Sequence, residues 1–315
     1  MPKILVTGGA GFIASALAAA LADDPENEVI IVDNFETGLQ RNIPQHPKNP
    51  VRFIKCDVNE YRDISEVFFA HRFDYVFHYA ALVGVQRTLK NPVKVLRDIE
   101  GFKNLLNLSK NAGVKRIFFS SSSEVYGEPF EIPQNEKTTP LNSRLPYAIV
   151  KNVGEAWLKA YQEEFGLPFT VFRFFNTYGI KQSQDFVISR FIEAALKGED
   201  ITVYGDGKQT RTFCYIDDNI EACLKIFRNN EMINDVVNIG SDDEISILEL
   251  AQLIIEITGS SSRIVHLPPL KEGDMTRRKP DITKMRSVLG RDLTPLEKGL
   301  SIIANHFKQP DNVRN

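Results

Sequence analysis

At 315 residues, 43% of them hydrophobic, the chain can form one large domain or two smaller ones around a sizeable core. A net charge of −3 argues against a nucleic-acid binder driven by phosphate neutralisation. Three cysteines, Cys56, Cys214 and Cys223, make no CxxC pair, and the five histidines are scattered. Neither a disulfide framework nor a zinc or other metal site is expected, and a reducing cytoplasm is the simplest location.

Along the chain, short apolar runs alternate with helical stretches. "KILVTG" is a strand buried on both faces, and it starts too early to leave room for a signal peptide. "GFIASALAAALADD" is a helix, "EVIIVDN" and "VRFIKCDV" are strands, "RDISEVFFAHR" is helical and "FDYVFHYAA" is a fourth strand. One long helical stretch is expected from Pro92 to Ala112. "VKRIFFSSSSEVYG" is a strand whose end is crowded with serines. "PYAIVKNVGEAWLKAYQEEFG" is a helix opened by Pro146, and "PFTVFRFFNTYG" is a further strand. This alternation predicts an α/β fold with a doubly wound parallel sheet of the Rossmann type. Beyond Gly179 the pattern loosens into short elements and turns such as "YGDGKQTR", read as a smaller, partly interleaved C-terminal substrate domain. No apolar run approaches the roughly 18–20 residues of a membrane span.

The turn after the first strand carries Gly8, Gly11 and Ala14. A dinucleotide turn needs glycine where the chain folds sharply and where backbone approaches a pyrophosphate, and a small residue where helix packs on strand. The helix that follows offers unpaired amides and a positive dipole end to phosphate. Asp33 ends the second strand, at the distance suited to a ribose 2′-hydroxyl. A carboxylate there repels a 2′-phosphate, so NAD is expected over NADP. Asp57 and Val58 follow the third strand, where they meet an adenine or, alternatively, cap a helix.

Tyr147 and Lys151 stand four residues apart on one helix face. An ammonium beside a phenol favours the phenolate and suits it to general-base work. By itself such a pair is commonly a solvated helix face. It gains meaning from the serine-rich strand end before it, where a hydroxyl can complete a proton relay.

With these residues in view the chain resembles the extended short-chain dehydrogenases/reductases of the nucleotide-sugar epimerase, dehydratase and decarboxylase group. The resemblance rests on "TGGAGFI", "VDN", "CDV", "HYAA", "SSSSEVYGE", "YAIVK", "RFFNTYG", "YGDGKQTRTFCYIDD" and "RRKPDI", and covers nearly the whole chain. It is closest in motifs to UDP-glucuronate decarboxylase-like enzymes. It implies an NAD-binding domain over residues 1–178, with about 208–240 returning to it, and a mostly nucleotide-sugar-binding domain over 179–315. It implies NAD contacts from Gly8, Gly11, Phe12, Ile13, Asp33, Asn34, Asp57, Val58, Tyr79, Ala80 and Ala81, together with Tyr147 and Lys151. Ser122, Tyr147 and Lys151 are implied as catalytic: Tyr147 as the base at a sugar 4-hydroxyl, Lys151 holding the nicotinamide ribose, Ser122 bonding the 4-oxygen. The substrate implied is a nucleoside-diphosphate sugar, most commonly of UDP. Asn176, Gln209, Arg211 and Arg278 would meet it around the diphosphate, and Val203 and Tyr204 would border the base. Arginine forks suit diphosphate oxygens, although "RRK" at 277–279 also reads as a solvated charge run. A homodimer through the helices at 92–112 and 147–165 is implied as well, with no membrane or nucleic-acid partner.

The step after C4 oxidation turns on Ser123 and Glu124. Glu124 resembles the acid of dehydratases and decarboxylases, and a carboxylate there could serve C5 chemistry. The alternative is that it only caps the strand end. Phe186 stands where decarboxylases carry an arginine, and "GIKQSQD" departs from their usual loop. These two departures count against decarboxylation; on Glu124, dehydration or decarboxylation is expected, with 4-epimerisation or release of a 4-keto sugar as alternatives. A non-catalytic sugar-nucleotide sensor is the remote one.

Overall fold

The apolar runs pair into one seven-stranded sheet in the computed structural model, which describes residues 1–128, 130–269 and 277–309. The first half of the chain gives β1 (Lys3–Thr7), α1 (Phe12–Ala22), β2 (Glu28–Asp33), β3 (Arg52–Lys55), α2 (Tyr61–Ala70), β4 (Tyr75–His78), α3 (Val85–Lys90), α4 (Pro92–Leu96), α5 (Asp98–Ala112), β5 (Arg116–Ser122), α6 (Pro146–Phe165) and β6 (Phe169–Phe174). Then come β7 (Thr177–Tyr178), α7 (Val187–Lys197), β8 (Ile201–Tyr204), β9 (Thr210–Thr212), β10 (Cys214–Tyr215), α8 (Ile216–Arg228) and β11 (Asp235–Ile239). β12 (Glu244–Ser246), α9 (Ile247–Thr258), β13 (Ile264–Leu267), α10 (Thr283–Leu289) and α11 (Leu296–Lys308) complete it.

The sheet order is β11-β6-β5-β4-β1-β2-β3. Every pair from β3 through β6 runs parallel. β1 is the pivot: β2 pairs on one side and β4 on the other, with Thr7 opposite both Val32 and His78. Ligands of such sheets bind at this switch point, outside the carboxyl ends of the strands. Leu5, Val76, Ile117 and Val171 form the core with Ile64 and Phe68 of α2, Phe102 and Leu105 of α5, and Leu158 of α6. Each such side chain contributes roughly 1.5–3 kcal/mol by leaving water.

The chain divides into two compact units. One comprises Met1–Val125, Leu141–Phe174 and Ile220–Val237; the other takes Tyr126–Pro140, Phe175–Asn219 and the residues from Asn238 on. The second unit holds three two-stranded pairs, β7 with β10, β9 with β12 and β8 with β13. Its α9 begins in a capping box: Ser246 accepts from the Glu249 amide, and the Glu249 carboxylate accepts from Ser246.

Three elements differ from the sequence reading. The helix expected over 92–112 is divided at Arg97, because the Asp98 carboxylate anchors the start of α5, accepting from the Leu82 amide at 2.8 Å and Asn59 Nδ2 at 3.2 Å. The strand expected over "PFTVFRFFNTYG" breaks after Phe174, where the Phe175 amide turns to the Ile239 carbonyl at 2.9 Å. Past Ser122 the serine-rich strand winds into a 3₁₀ turn, Ser123–Tyr126. Among the described residues no helix is long and apolar enough to cross a membrane, and no side-chain cluster could hold a metal ion.

Candidate active site

The glycine turn joins β1 to α1. Gly8 takes a φ of +71°, which disfavours any side chain. A Cβ there would lie 2.8 Å from Ala80 backbone atoms, and one on Gly11 2.9 Å from the Gly8 carbonyl oxygen. Both positions thus demand a bare backbone. Gly11 caps α1, and Ala14 is buried on the first turn, where a larger side chain has no room. The first amides of α1, at Phe12 and Ile13, have no helical carbonyl to meet, which suits an anion.

Asp33 sits at the end of β2, 8% exposed. Its carboxylate accepts from the Ala10 amide at 3.0 Å and the Phe35 amide at 2.7 Å. Burial raises its pKa, and these two amides work against that rise. The carboxylate is thereby aimed from the strand end with lone pairs left for hydroxyl groups. Asn34, beside it, is exposed. Asp57 accepts from the Asn59 amide at 2.9 Å in the turn before α2, whose N-cap is Glu60, and Val58 is buried.

The "HYAA" segment is fastened to the glycine turn by Thr7. Its hydroxyl accepts from the Tyr79 and Ala80 amides, 3.1 Å each, and lies 2.8 Å from His78 Nδ1. Burial, with Lys151 nearby, drives the His78 pKa down to about 3, so the ring is neutral. The Thr7 oxygen already receives two amides, so its proton goes to Nδ1. Tyr79 donates to Cys223 Sγ at 3.6 Å, and Ala81 is half-buried. A glycine cradle, a carboxylate at the β2 end and a pinned β4 turn together fit a dinucleotide.

Ser122 ends β5, and its Oγ accepts from the Glu124 amide at 3.2 Å. The 3₁₀ turn thus ties the backbone of Glu124, two residues on, to the hydroxyl. On α6, Lys151 is 3% exposed and Tyr147 half-buried. Lys151 Nζ lies 5.7 Å from the Tyr147 ring centroid and 4.9 Å from that of Phe119. It donates to the Ser120 carbonyl at 2.6 Å. Burial lowers its pKa to about 8, with the Asp98 charge opposing that fall. Ser122 and Glu124 are thus brought together, as are Tyr147 and Lys151, and Lys151 is tied to the strand that carries Ser122.

The candidate sugar-nucleotide residues belong to the second unit. Asn176 Nδ2 donates to the Thr212 carbonyl at 3.0 Å. Arg211 Nη1 donates to the Thr210 carbonyl at 2.7 Å. Val203 is wholly buried, whereas Tyr204 is half-buried with the Arg190 guanidinium 5.7 Å from its ring centroid. Gln209 Nε2 donates to the Tyr204 carbonyl at 3.2 Å. The "RRK" run is not a uniform solvated stretch. Arg277 forks onto Glu244 with two 2.6 Å bonds, Lys279 Nζ lies 3.5 Å from the same carboxylate, and Arg278 is buried. Glu244 is held down at about 2, chiefly by Arg277.

Sequence reasoning missed Asp98, Glu155 and Arg173. Glu155 carried a usable signal, standing at the next helical repeat after Tyr147 and Lys151. Arg173 and Asp98 had none before the strands were paired.

The fold and this geometry define a dinucleotide-binding enzyme. The model of the NAD dependent epimerase/dehydratase family matches residues 4–240, and the chain belongs to that family, with NAD as cofactor. It is 38% identical over 98% of its length to UDP-glucuronic acid decarboxylase 1 of Danio rerio, covering 73% of that protein. It is 37% identical to the UDP-N-acetyl-alpha-D-glucosaminuronate decarboxylase of Bacillus cytotoxicus, over 98% of this chain and 99% of the other. Among solved structures it resembles UDP-glucose 4-epimerase of Thermotoga maritima with UDP-glucose, with a TM-score of 0.90, 34% identity and coverage of 97% and 98%.

Proposed function

We propose that the chain oxidises C4 of a UDP-sugar carrying a uronate carboxylate and releases carbon dioxide through C5 chemistry. The observation that carries this reading is Glu124, whose amide is bonded to Ser122 Oγ, so that an acidic residue stands two places after the proposed catalytic hydroxyl. The relatives named as decarboxylases, matched over 98% of this chain, support it.

NAD, held by the Gly8–Gly11 turn and Asp33, would supply a reversible acceptor for the C4 hydride. Tyr147, as phenolate, takes the proton of the 4-hydroxyl and gives it back at the end. Ser122, already accepting from the Glu124 amide, has its own proton to donate to the 4-oxygen. A C4 ketone lies β to the C6 carboxylate. The C5–C6 bond can then break with its electron pair drawn into that carbonyl. C5 takes up one proton from solvent water, which Glu124 relays, gaining one proton from water for each it passes on. Arg211 and Arg278 hold the diphosphate, and Tyr204, half-buried beside the wholly enclosed Val203, borders the uracil.

A second reading, 4-epimerisation, is favoured by Phe186, an apolar residue at the N-cap of α7 where decarboxylases carry a cation. Turnover of UDP-glucuronate in heavy water separates the two. Loss of carbon dioxide with deuterium at C5 is expected, suppressed in Glu124→Gln. A product of unchanged mass, unlabelled at C5 and inverted at C4, would make this an epimerase. The exposed apolar residues Val93 and Leu96 of α4 and Ile149 and Phe165 of α6 support a homodimer through these helices. Val93→Glu should then yield monomers in light scattering.

A further inference from the structure

Glu155 lies one helical turn beyond Lys151 and two beyond Tyr147, so the three share one face of α6. It is 1% exposed, and its partner Arg173 on β6 is 2% exposed. Arg173 forks onto it, Nη2 to Oε2 at 2.7 Å and Nε to Oε1 at 3.0 Å. The same Oε1 accepts from Ser121 Oγ at 2.5 Å. Ser121 stands opposite Arg173 in the β5–β6 register and immediately precedes Ser122. One turn back on α6, Lys151 bonds the Ser120 carbonyl. The helix with the base and the strand with the hydroxyl are therefore joined at two successive residues of β5.

Stability alone does not account for an ion pair in this place. Two buried charges lose hydration, and apolar residues of similar volume commonly hold a core at least as well. What an apolar pair cannot do is receive the Ser121 hydroxyl and fix the rotation of β5 at Ser122.

We propose that Glu155 and Arg173 are positioning residues, which hold the strand end carrying Ser122 in register with Tyr147 and Lys151 through the Ser121 hydroxyl. This rests on the roles given above to Ser122, Tyr147 and Lys151. A displacement of a fraction of an ångström between hydroxyl and base then lowers the rate without weakening binding.

The test uses the NAD-loaded enzyme. Ser121→Ala keeps the ion pair and removes only its link to β5. We expect kcat to fall about tenfold or more, with KM, NAD content and melting temperature nearly unchanged, and Ser121→Thr to restore it. The double variant Glu155→Leu with Arg173→Met should fold, bind NAD and stay slow. A wild-type kcat in Ser121→Ala, or in a folded double variant, overturns the proposal. If the double variant does not fold, Ser121→Ala decides. A wild type that turns over no sugar nucleotide defeats the functional reading alone. The ultraviolet phenolate titration of Tyr147, taken as the difference from Tyr147→Phe, then carries the test. We expect a displaced midpoint in Ser121→Ala, and an unmoved one overturns the proposal.

Discussion

The ammonium of Lys151 donates a 2.6 Å hydrogen bond to the carbonyl of Ser120, two residues before the strand-end hydroxyl of Ser122. This bond gives a buried lysine a fixed place, while burial leaves it a pKa of about 8. The charge that supports the Tyr147 phenolate is present below that pH and is lost above it.

The rate should therefore show an alkaline limb that falls from about pH 8. Three groups bear on Lys151: the Asp98 carboxylate raises its pKa, His78 is neutral, and Tyr147 is the base it serves. Asp98→Asn removes the one opposing charge, so the ammonium should be lost earlier and the limb should move to lower pH. Profiles of kcat against pH for the two proteins check this, and coincident limbs would speak against it.

Asp33→Ala should weaken NAD by about 10–100-fold, the worth of charge-assisted hydrogen bonds to two hydroxyls. Discrimination against NADP should relax with it. Titration calorimetry with each dinucleotide reads both effects. Equal affinity of the wild type for NAD and NADP would remove Asp33 from this role.

Tyr147→Phe removes the general base alone. Turnover should drop by roughly two to four orders of magnitude with sugar-nucleotide affinity nearly intact. Undiminished turnover would sink the assignment.

Gly154→Ala tests the packing behind the site. A Cβ there would lie 2.7 Å from the Phe102 ring and 3.0 Å from that of Phe119. Phe102 is itself held edge-on to Phe119 and His78, so it cannot yield. Overpacking of about 1–3 kcal/mol should outweigh the helix-propensity gain of roughly 1 kcal/mol from losing a glycine. Thermal unfolding should show a lower midpoint, and a raised one would mean the helix can shift.

The candidate residues legible in the sequence are those whose spacing already expresses local geometry. Gly8, Gly11 and Asp33 belong to one βαβ unit, and Tyr147 and Lys151 to one helix, so chain distance fixes their relation. Asp98 and Arg173 have no such rule. Asp98 matters because Leu82 and Asn59 come to it from other segments, and Arg173 because β6 pairs with β5 in one register. The break after Phe174 was hidden likewise, since an apolar run does not reveal that its next amide will turn to Ile239.

β11 begins in one compact unit, at Asp235, and ends in the other, at Ile239. The unit that holds the glycine turn is therefore unfinished until Val237 exists, over a hundred residues after its first stretch closes at Val125. At roughly 5–20 residues per second of synthesis, that interval is on the order of ten seconds. In the part of it that follows Phe174, the sheet edge at β6 lacks the neighbour that β11 provides. Unpaired edges invite association with other chains. The nascent chain thus cannot finish its cofactor-binding half in one uninterrupted stretch, and its exposure to misassembly on the ribosome is written into the order of its strands.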